Sequence, residues 1–142
     1  MLIMPKKIRN ARRKLTSQQL RDLDLEIGFM EGVLRREPGY IEALQILGDD
    51  YTRRDRFADG LRIDQRLVEL RPRDPLAHYN LACSFSLTQQ CGPAAEALNT
   101  AINLGYNDFN WMARDPDLQP LREHAGYKKI QAKIRCLFVK EI

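Results

Sequence analysis

The sequence lacks the features that mark most nucleotide-dependent enzymes and membrane proteins. No glycine-rich string of the form GxGxxG or GxxxxGK[ST] occurs in its 142 residues, so no phosphate-binding loop is predicted. No apolar run approaches the roughly 20 residues that span a bilayer. The apolar segment 1–5 precedes the basic residues, which reverses the order of a secretory signal. We therefore expect one soluble, non-enzymatic domain without a cofactor.

Residues that bind metals or form disulfides are also scarce. The three cysteines, Cys83, Cys91 and Cys136, form no CxxC pair, and an odd, widely spaced set fits neither a disulfide framework nor a zinc site. Neither His78 nor His124 has a second histidine or cysteine at the spacing of helical metal ligands. We expect a protein of the reducing cytoplasm that binds no metal.

The positive charge is concentrated at the N-terminus. The net charge is +4, and six basic residues lie between positions 6 and 14, a segment without an acidic residue: Lys6, Lys7, Arg9, Arg12, Arg13 and Lys14. A cluster of this kind can attach to nucleic acid or to an anionic surface. No aromatic residue lies within residues 1–28, so the segment offers no platform on which bases stack, and sequence-specific nucleic-acid binding is not expected.

An internal repeat is the dominant feature of the sequence. The segment Leu47-Gly48-Asp49-Asp50-Tyr51 is matched, 34 residues later, by Leu81-Ala82-Cys83-Ser84-Phe85, and the apolar positions of both units continue to match. A period of this length with helical spacing of apolar residues is typical of stacked helical hairpins. The sequence predicts an all-α solenoid, which is a binding scaffold rather than a catalyst.

The repeat, together with the residues that begin and end its helices, divides the chain into segments. We predict a basic arm (1–16) and a helical domain (17–142) with an N-terminal cap (17–40), two repeats (41–74 and 75–108) and a C-terminal cap (109–142). Thr16 or Ser17 can cap the first helix, Asp74 before Pro75 starts another, and Gly105 ends one in a left-handed conformation. Asp115-Pro116 interrupts a third repeat, so the first and last helices are predicted to seal the ends of the stack.

The first unit resembles a tetratricopeptide repeat through Leu47-Gly48, Tyr51, Gly60, Leu67 and Pro72, and the second is similar through Leu81-Ala82, Phe85, Ala94 and Ala101. The resemblance implies that Gly48 and Gly60 lie where the two helices of a hairpin cross, and that Tyr51 fills the gap between hairpins. The second unit departs from the pattern at His78 and at Tyr106, which replaces the closing proline. The segment 105–122 is similar to the closing segment of many bacterial members, which indicates a bacterial source.

The resemblance also implies that the first helix of each hairpin lines a concave groove that binds a peptide or protein segment. The implied groove residues are Glu42, Gln45, Asp49, Thr52, Arg53, Leu76, Tyr79, Asn80, Cys83, Ser86 and Leu87. Tyr79, Leu76 and Leu87 would form an apolar anchor, although Leu76 and Leu87 would equally pack beneath flanking helices. Glu42 and Asp49 favour a basic group on the ligand.

The sequence also bears on two other modes of binding. Some relatives hold the C-terminal carboxylate of chaperones, but the corresponding positions here are Gln45, Asp49, Asn80, Asn110 and Arg114, and Asp49 would repel a carboxylate. We therefore do not expect that specificity. The alternative to a peptide-binding adaptor is a self-associating subunit that pairs through its end helices or through the apolar stripe from Tyr127 to Phe138.

Overall fold

The computed structural model describes residues 14–140, and this part of the chain is helical, with no β-strand. The elements are α1 (Ser17–Arg36), α2 (Ile41–Arg53), α3 (Phe57–Leu70), α4 (Pro75–Leu87), α5 (Cys91–Asn103), α6 (Phe109–Met112), a 3-10 turn (Pro116–Leu118), α7 (Gln119–Arg122) and α8 (Ala125–Lys140). The predicted all-α solenoid is confirmed. Among these helices none is both long enough and apolar enough to cross a membrane. Of the basic arm, residues 1–13 lie outside the described residues.

The helix ends lie where the sequence places them, for local reasons. The Thr16 hydroxyl accepts a hydrogen bond from the Gln19 amide (3.1 Å), and the Gln19 side chain accepts one from the Thr16 amide (2.9 Å). Asp74 accepts a hydrogen bond from the Leu76 amide (2.9 Å) at the start of α4. Gly105 has φ of 111°, a left-handed conformation in which a side chain would be strained. These groups satisfy backbone donors and acceptors that a helix end leaves unpaired.

The helices stack in chain order as two hairpins, α2 with α3 and α4 with α5, and α3 packs on α4. Small residues allow the close crossings. A methyl group built on Gly48 would lie 3.2 Å from Ile63 Cγ2, and one built on Gly60 would lie 3.7 Å from the carbonyl oxygen of Gly48. Ala82 and Ala94, the equivalent residues of the second hairpin, are fully buried. The predicted crossing points are confirmed.

The apolar core is divided into two clusters. The N-terminal cluster contains Leu23, Ile27, Leu47 and Tyr51, and it joins α1 to α2. The larger C-terminal cluster joins α4 and α5 to the C-terminal helices. Between the clusters, buried Asp64 of α3 accepts a hydrogen bond from buried Ser84 of α4. The contact between the two halves of the stack thus includes a buried polar pair as well as apolar side chains of α3, since Leu61 and Val68 pack against the C-terminal cluster.

The C-terminal end of the stack is sealed, as predicted. Tyr127, Ile130 and Ile134 of α8 are buried, and α8 packs against α5 and α7. The first three residues of the apolar stripe from Tyr127 to Phe138 therefore cover the core, whereas Leu137 and Phe138 are exposed. At the other end, Leu25 and Phe29 of α1 expose 74% and 67% of their surface, respectively.

Candidate groove between helices α2 and α4

A concave cavity of about 430 Å³ lies between α2 and α4, with contributions from α1 and α3. We call it the α2–α4 groove. Six of the residues implied by the sequence line it: Glu42, Gln45, Asp49, Arg53, Leu76 and Asn80. The first helices of the two hairpins thus lie side by side and present their side chains to one cavity, which is the arrangement expected of a repeat scaffold.

Four other implied residues are buried and therefore do not line a groove. Thr52 donates a hydrogen bond to the carbonyl oxygen of Gly48 (3.0 Å), which holds its hydroxyl against its own helix. Tyr79 is 2% exposed, and both Cys83 and Ser86 have no exposed surface. Leu87 is half-buried and lies outside the lining of the groove.

The cause of these corrections is the segment that follows α5. Tyr106 stacks on Tyr79 with ring centroids 4.2 Å apart and planes 7° from parallel. The Ser86 hydroxyl accepts a hydrogen bond from the Leu121 amide (3.2 Å), and α4 packs against α7 and the 3-10 turn. The C-terminal cap therefore occupies the concave side of the second hairpin. What remains open is the first hairpin and the beginning of α4.

Asp115 organises this cap. Its carboxylate accepts hydrogen bonds from the Tyr79 hydroxyl (2.6 Å) and from the Asp117 amide (2.9 Å), and the Cys83 thiol lies 3.6 Å from it. Burial raises the pKa of Tyr79 well above its usual range, so the tyrosine is the proton donor. Three side chains here lie close enough together to be potential metal ligands, those of Cys83, Asp115 and Asp117. The hydrogen bonds from Tyr79 and from the Asp117 amide give Asp115 a structural role instead.

The groove is strongly acidic. Its lining contains six acidic residues and two basic ones. The acidic residues are Glu26, Glu42, Asp49, Asp50, Asp64 and Asp74, and the basic ones are Arg53 and Arg71. Low-dielectric walls strengthen the field of such a cluster, which attracts cations and repels anions. The expectation that this surface disfavours a carboxylate ligand agrees with its charge.

Asp50 is the most unusual of these acids. The residue is 2% exposed, and its Oδ2 atom has no hydrogen-bond donor among the described residues. Arg53 lies 3.9 Å from Oδ1, beyond hydrogen-bond distance. Burial raises the pKa of Asp50 to about 8, a side-chain hydrogen bond with Glu26 and the negative charges of Glu26 and Asp49 act in the same direction, and Arg53 opposes them. Asp50 is thus a buried acid whose side-chain partner is another carboxyl group.

The repeat shows how the surroundings of Asp50 differ from those of its equivalent in the second hairpin. One period after Asp50 lies Ser84, which donates its hydroxyl hydrogen to Asp64 of the preceding helix. One period before Asp64 lies Met30, whose thioether offers no polar hydrogen. The positions of the buried polar pair of the second interface are therefore occupied by Asp50 and Met30 in the first. The side-chain partner of Asp50 is instead the carboxyl group of Glu26.

Sequence reasoning missed the contributions of α1 and α3 to this site. Neither Glu26 nor Asp50 was among the residues that the sequence implied for the groove. The available signal was the comparison of buried polar positions one period apart, which places Asp50 with Ser84 and Met30 with Asp64. That comparison identifies Asp50 as an acid without its expected partner.

Known proteins resemble this chain at low sequence identity and over a part of their own length. No protein-family model matches the chain. The chain is 26% identical over 130 residues to a chloroplastic protein of Arabidopsis thaliana, a match that covers 88% of this chain and 37% of that protein. It is 32% identical over 95 residues to "PEX5-related protein" of Mus musculus, covering 67% of this chain and 15% of that protein. The chain thus spans well under half of either relative. These similarities and the all-helical fold are compatible with a tetratricopeptide-like protein.

Proposed function

We propose that this chain is a tetratricopeptide-like interaction module that binds an extended peptide or protein segment in the α2–α4 groove, without catalysis. The observation that carries the proposal is the open cavity between the first helices of two successive hairpins. A cavity of this size accommodates a few side chains of a bound segment. The similarity to a PEX5-related protein supports a repeat module that acts through protein contacts.

A peptide-display experiment tests this function. A random dodecapeptide library is selected against the full chain, and the best peptide is resynthesised with a fluorescent label. We expect Gln45→Trp, which fills the groove from the exposed face of α2, to weaken binding at least about tenfold in fluorescence anisotropy. Gln65→Trp is the matched control, since Gln65 is an exposed helical glutamine outside the groove. Equal binding by both variants would place the binding surface elsewhere.

Self-association is the second candidate function, and the exposed apolar face of α1 favours it. Ile63, one period after Phe29, packs towards Gly48 on the first helix of its own hairpin, so Phe29 occupies the position that faces a partner helix within a hairpin. If α1 pairs with a second copy, the mass from light scattering should rise with concentration. The Leu25→Glu/Phe29→Glu double variant should then stay monomeric over the same range. A wild-type mass that is monomeric throughout rejects this candidate.

A further inference from the structure

The acidic groups of the α2–α4 groove differ in their roles. Asp74 caps α4 through the Leu76 amide, and Asp64 accepts the hydrogen bond from Ser84. Glu26, on the neighbouring helix α1, lies beside Asp50 and destabilises its ionised form. When both carboxyl groups are ionised they repel each other, and a positive charge beside them would relieve this repulsion.

A buried oxygen indicates where that positive charge belongs. Asp50 Oδ2 is buried without a donor among the described residues, and Asp50 belongs to the lining of the groove. When Asp50 is ionised, this oxygen has no donor among the described residues, and an N–H group from a ligand would supply one. The surrounding acids favour a donor that carries a positive charge.

We propose that the groove seats a basic side chain of the bound segment, a lysine ammonium or an arginine guanidinium, against Asp50 and Glu26. The proposal rests on the proposed peptide-binding function and names the chemistry that the groove selects. Arginine presents a planar set of N–H donors that can bridge two carboxylates, and lysine presents three donors at one point. The aliphatic stem of either residue can lie along Leu67 and Leu76, which also line the groove.

An organic cation fits this site better than a metal ion. Hard cations such as calcium need about six or more converging oxygen ligands. Among the described residues, the one cluster in which three potential ligand side chains converge within 4.8 Å is Cys83, Asp115 and Asp117, none of which lines the groove. The carboxylates of the α2–α4 groove are spread along its wall, which suits a side chain that carries several donors.

Binding of a cation at this position is coupled to loss of a proton. The pKa of Asp50 is about 8, so the acid is largely protonated at pH 6, and a bound cation favours its ionised form. Affinity should therefore rise as the pH increases from 6 to 9. The other charged groups of the groove come from every helix that borders it. They are Glu26 of α1; Glu42, Asp49 and Arg53 of α2; Asp64 of α3; Arg71, which follows α3; and Asp74, which precedes α4.

The test uses the full chain and the display-selected dodecapeptides. We expect the selected peptides to share an arginine or lysine. The best peptide is then resynthesised with citrulline, the neutral analogue of arginine, or with norleucine in place of lysine. The neutral peptide should bind about tenfold more weakly at pH 8, with a smaller difference at pH 6. Glu26→Gln should reduce the preference for the basic peptide, whereas Glu96→Gln, on α5 outside the groove, should preserve it.

The outcomes separate this inference from the function on which it rests. Groove-dependent peptides that carry no basic residue, or equal binding of the basic and neutral peptides, would overturn the cation proposal and leave the peptide-binding function standing. A selection that yields no groove-dependent peptide would overturn both. An unchanged preference for the basic peptide in Glu26→Gln would remove Glu26 from the site.

Discussion

Replacing Asp115 with alanine is expected to lower the free energy of unfolding by about 3–5 kcal/mol, because one carboxylate supports two parts of the C-terminal cap. It accepts the hydrogen bond of the buried Tyr79 hydroxyl and caps the 3-10 turn through the Asp117 amide. The alanine variant leaves the tyrosine hydroxyl buried without an acceptor. Chemical denaturation followed by circular dichroism measures the loss.

A matched cap and a double-mutant cycle separate these contributions. Asp108 caps α6 by accepting a hydrogen bond from the Trp111 amide, but it is exposed, so Asp108→Ala should cost only about 1 kcal/mol. Tyr79→Phe removes the other end of the buried hydrogen bond. The cycle of Tyr79→Phe with Asp115→Ala should give a coupling energy of about 1–3 kcal/mol. Purely additive effects would contradict the assigned contact.

Replacing Asp50 with asparagine is expected to be more favourable at pH 9 than at pH 5. The change that it causes in the free energy of unfolding should be more stabilising at pH 9 by about 2 kcal/mol or more. The folded-state pKa of Asp50, about 8, lies above the ordinary value of 3.8. The native state therefore favours the protonated acid, and the wild-type protein loses this contribution as the pH rises from about 4 through 8. Asparagine keeps the shape of the neutral acid at every pH. Urea denaturation at pH 5, 7 and 9 measures the difference.

Asp59 provides the control for this pH dependence. Partial burial raises its pKa, but hydrogen bonds and attraction from Arg56 and Arg62 outweigh that effect, so its pKa lies below the usual value. Asp59 is then ionised in the folded and unfolded states from pH 5 to pH 9. Asp59→Asn should change stability by the same amount at both pH values. If Asp50→Asn behaves in the same way, Asp50 is not the buried protonated acid described above.

The sequence predicted the helices well because their signals are local or periodic. Thr16, Asp74 and Gly105 act within one turn of the helix ends that they define, and the 34-residue period made the crossings at Gly48 and Gly60 recognisable. Such signals do not depend on distant parts of the chain. The bounds of the repeats and the cap that seals the C-terminal end could therefore be inferred without coordinates.

The binding surface was predicted only for the first hairpin and the start of α4. Three residues of α4 were expected to face an open groove, namely Tyr79, Cys83 and Ser86. That expectation holds for a stack in which a third regular hairpin follows the second and leaves the concave face of α4 open. Here the third unit is interrupted, and Tyr106, Asp115 and Leu121 return to cover α4 instead. That contact depends on the path of a non-repeating segment, which periodicity does not describe. The replacement of the closing proline by Tyr106 was the one sign of a change at this point.

The division of the core into two clusters has a consequence for the proposed ligand. Helix α3 joins the clusters, since Ile63 packs against the N-terminal one and Leu61 and Val68 pack against the C-terminal one. A segment bound in the groove as proposed would contact α2 and the start of α4. Such a ligand would add a second connection between the clusters and should thereby raise the free energy of unfolding.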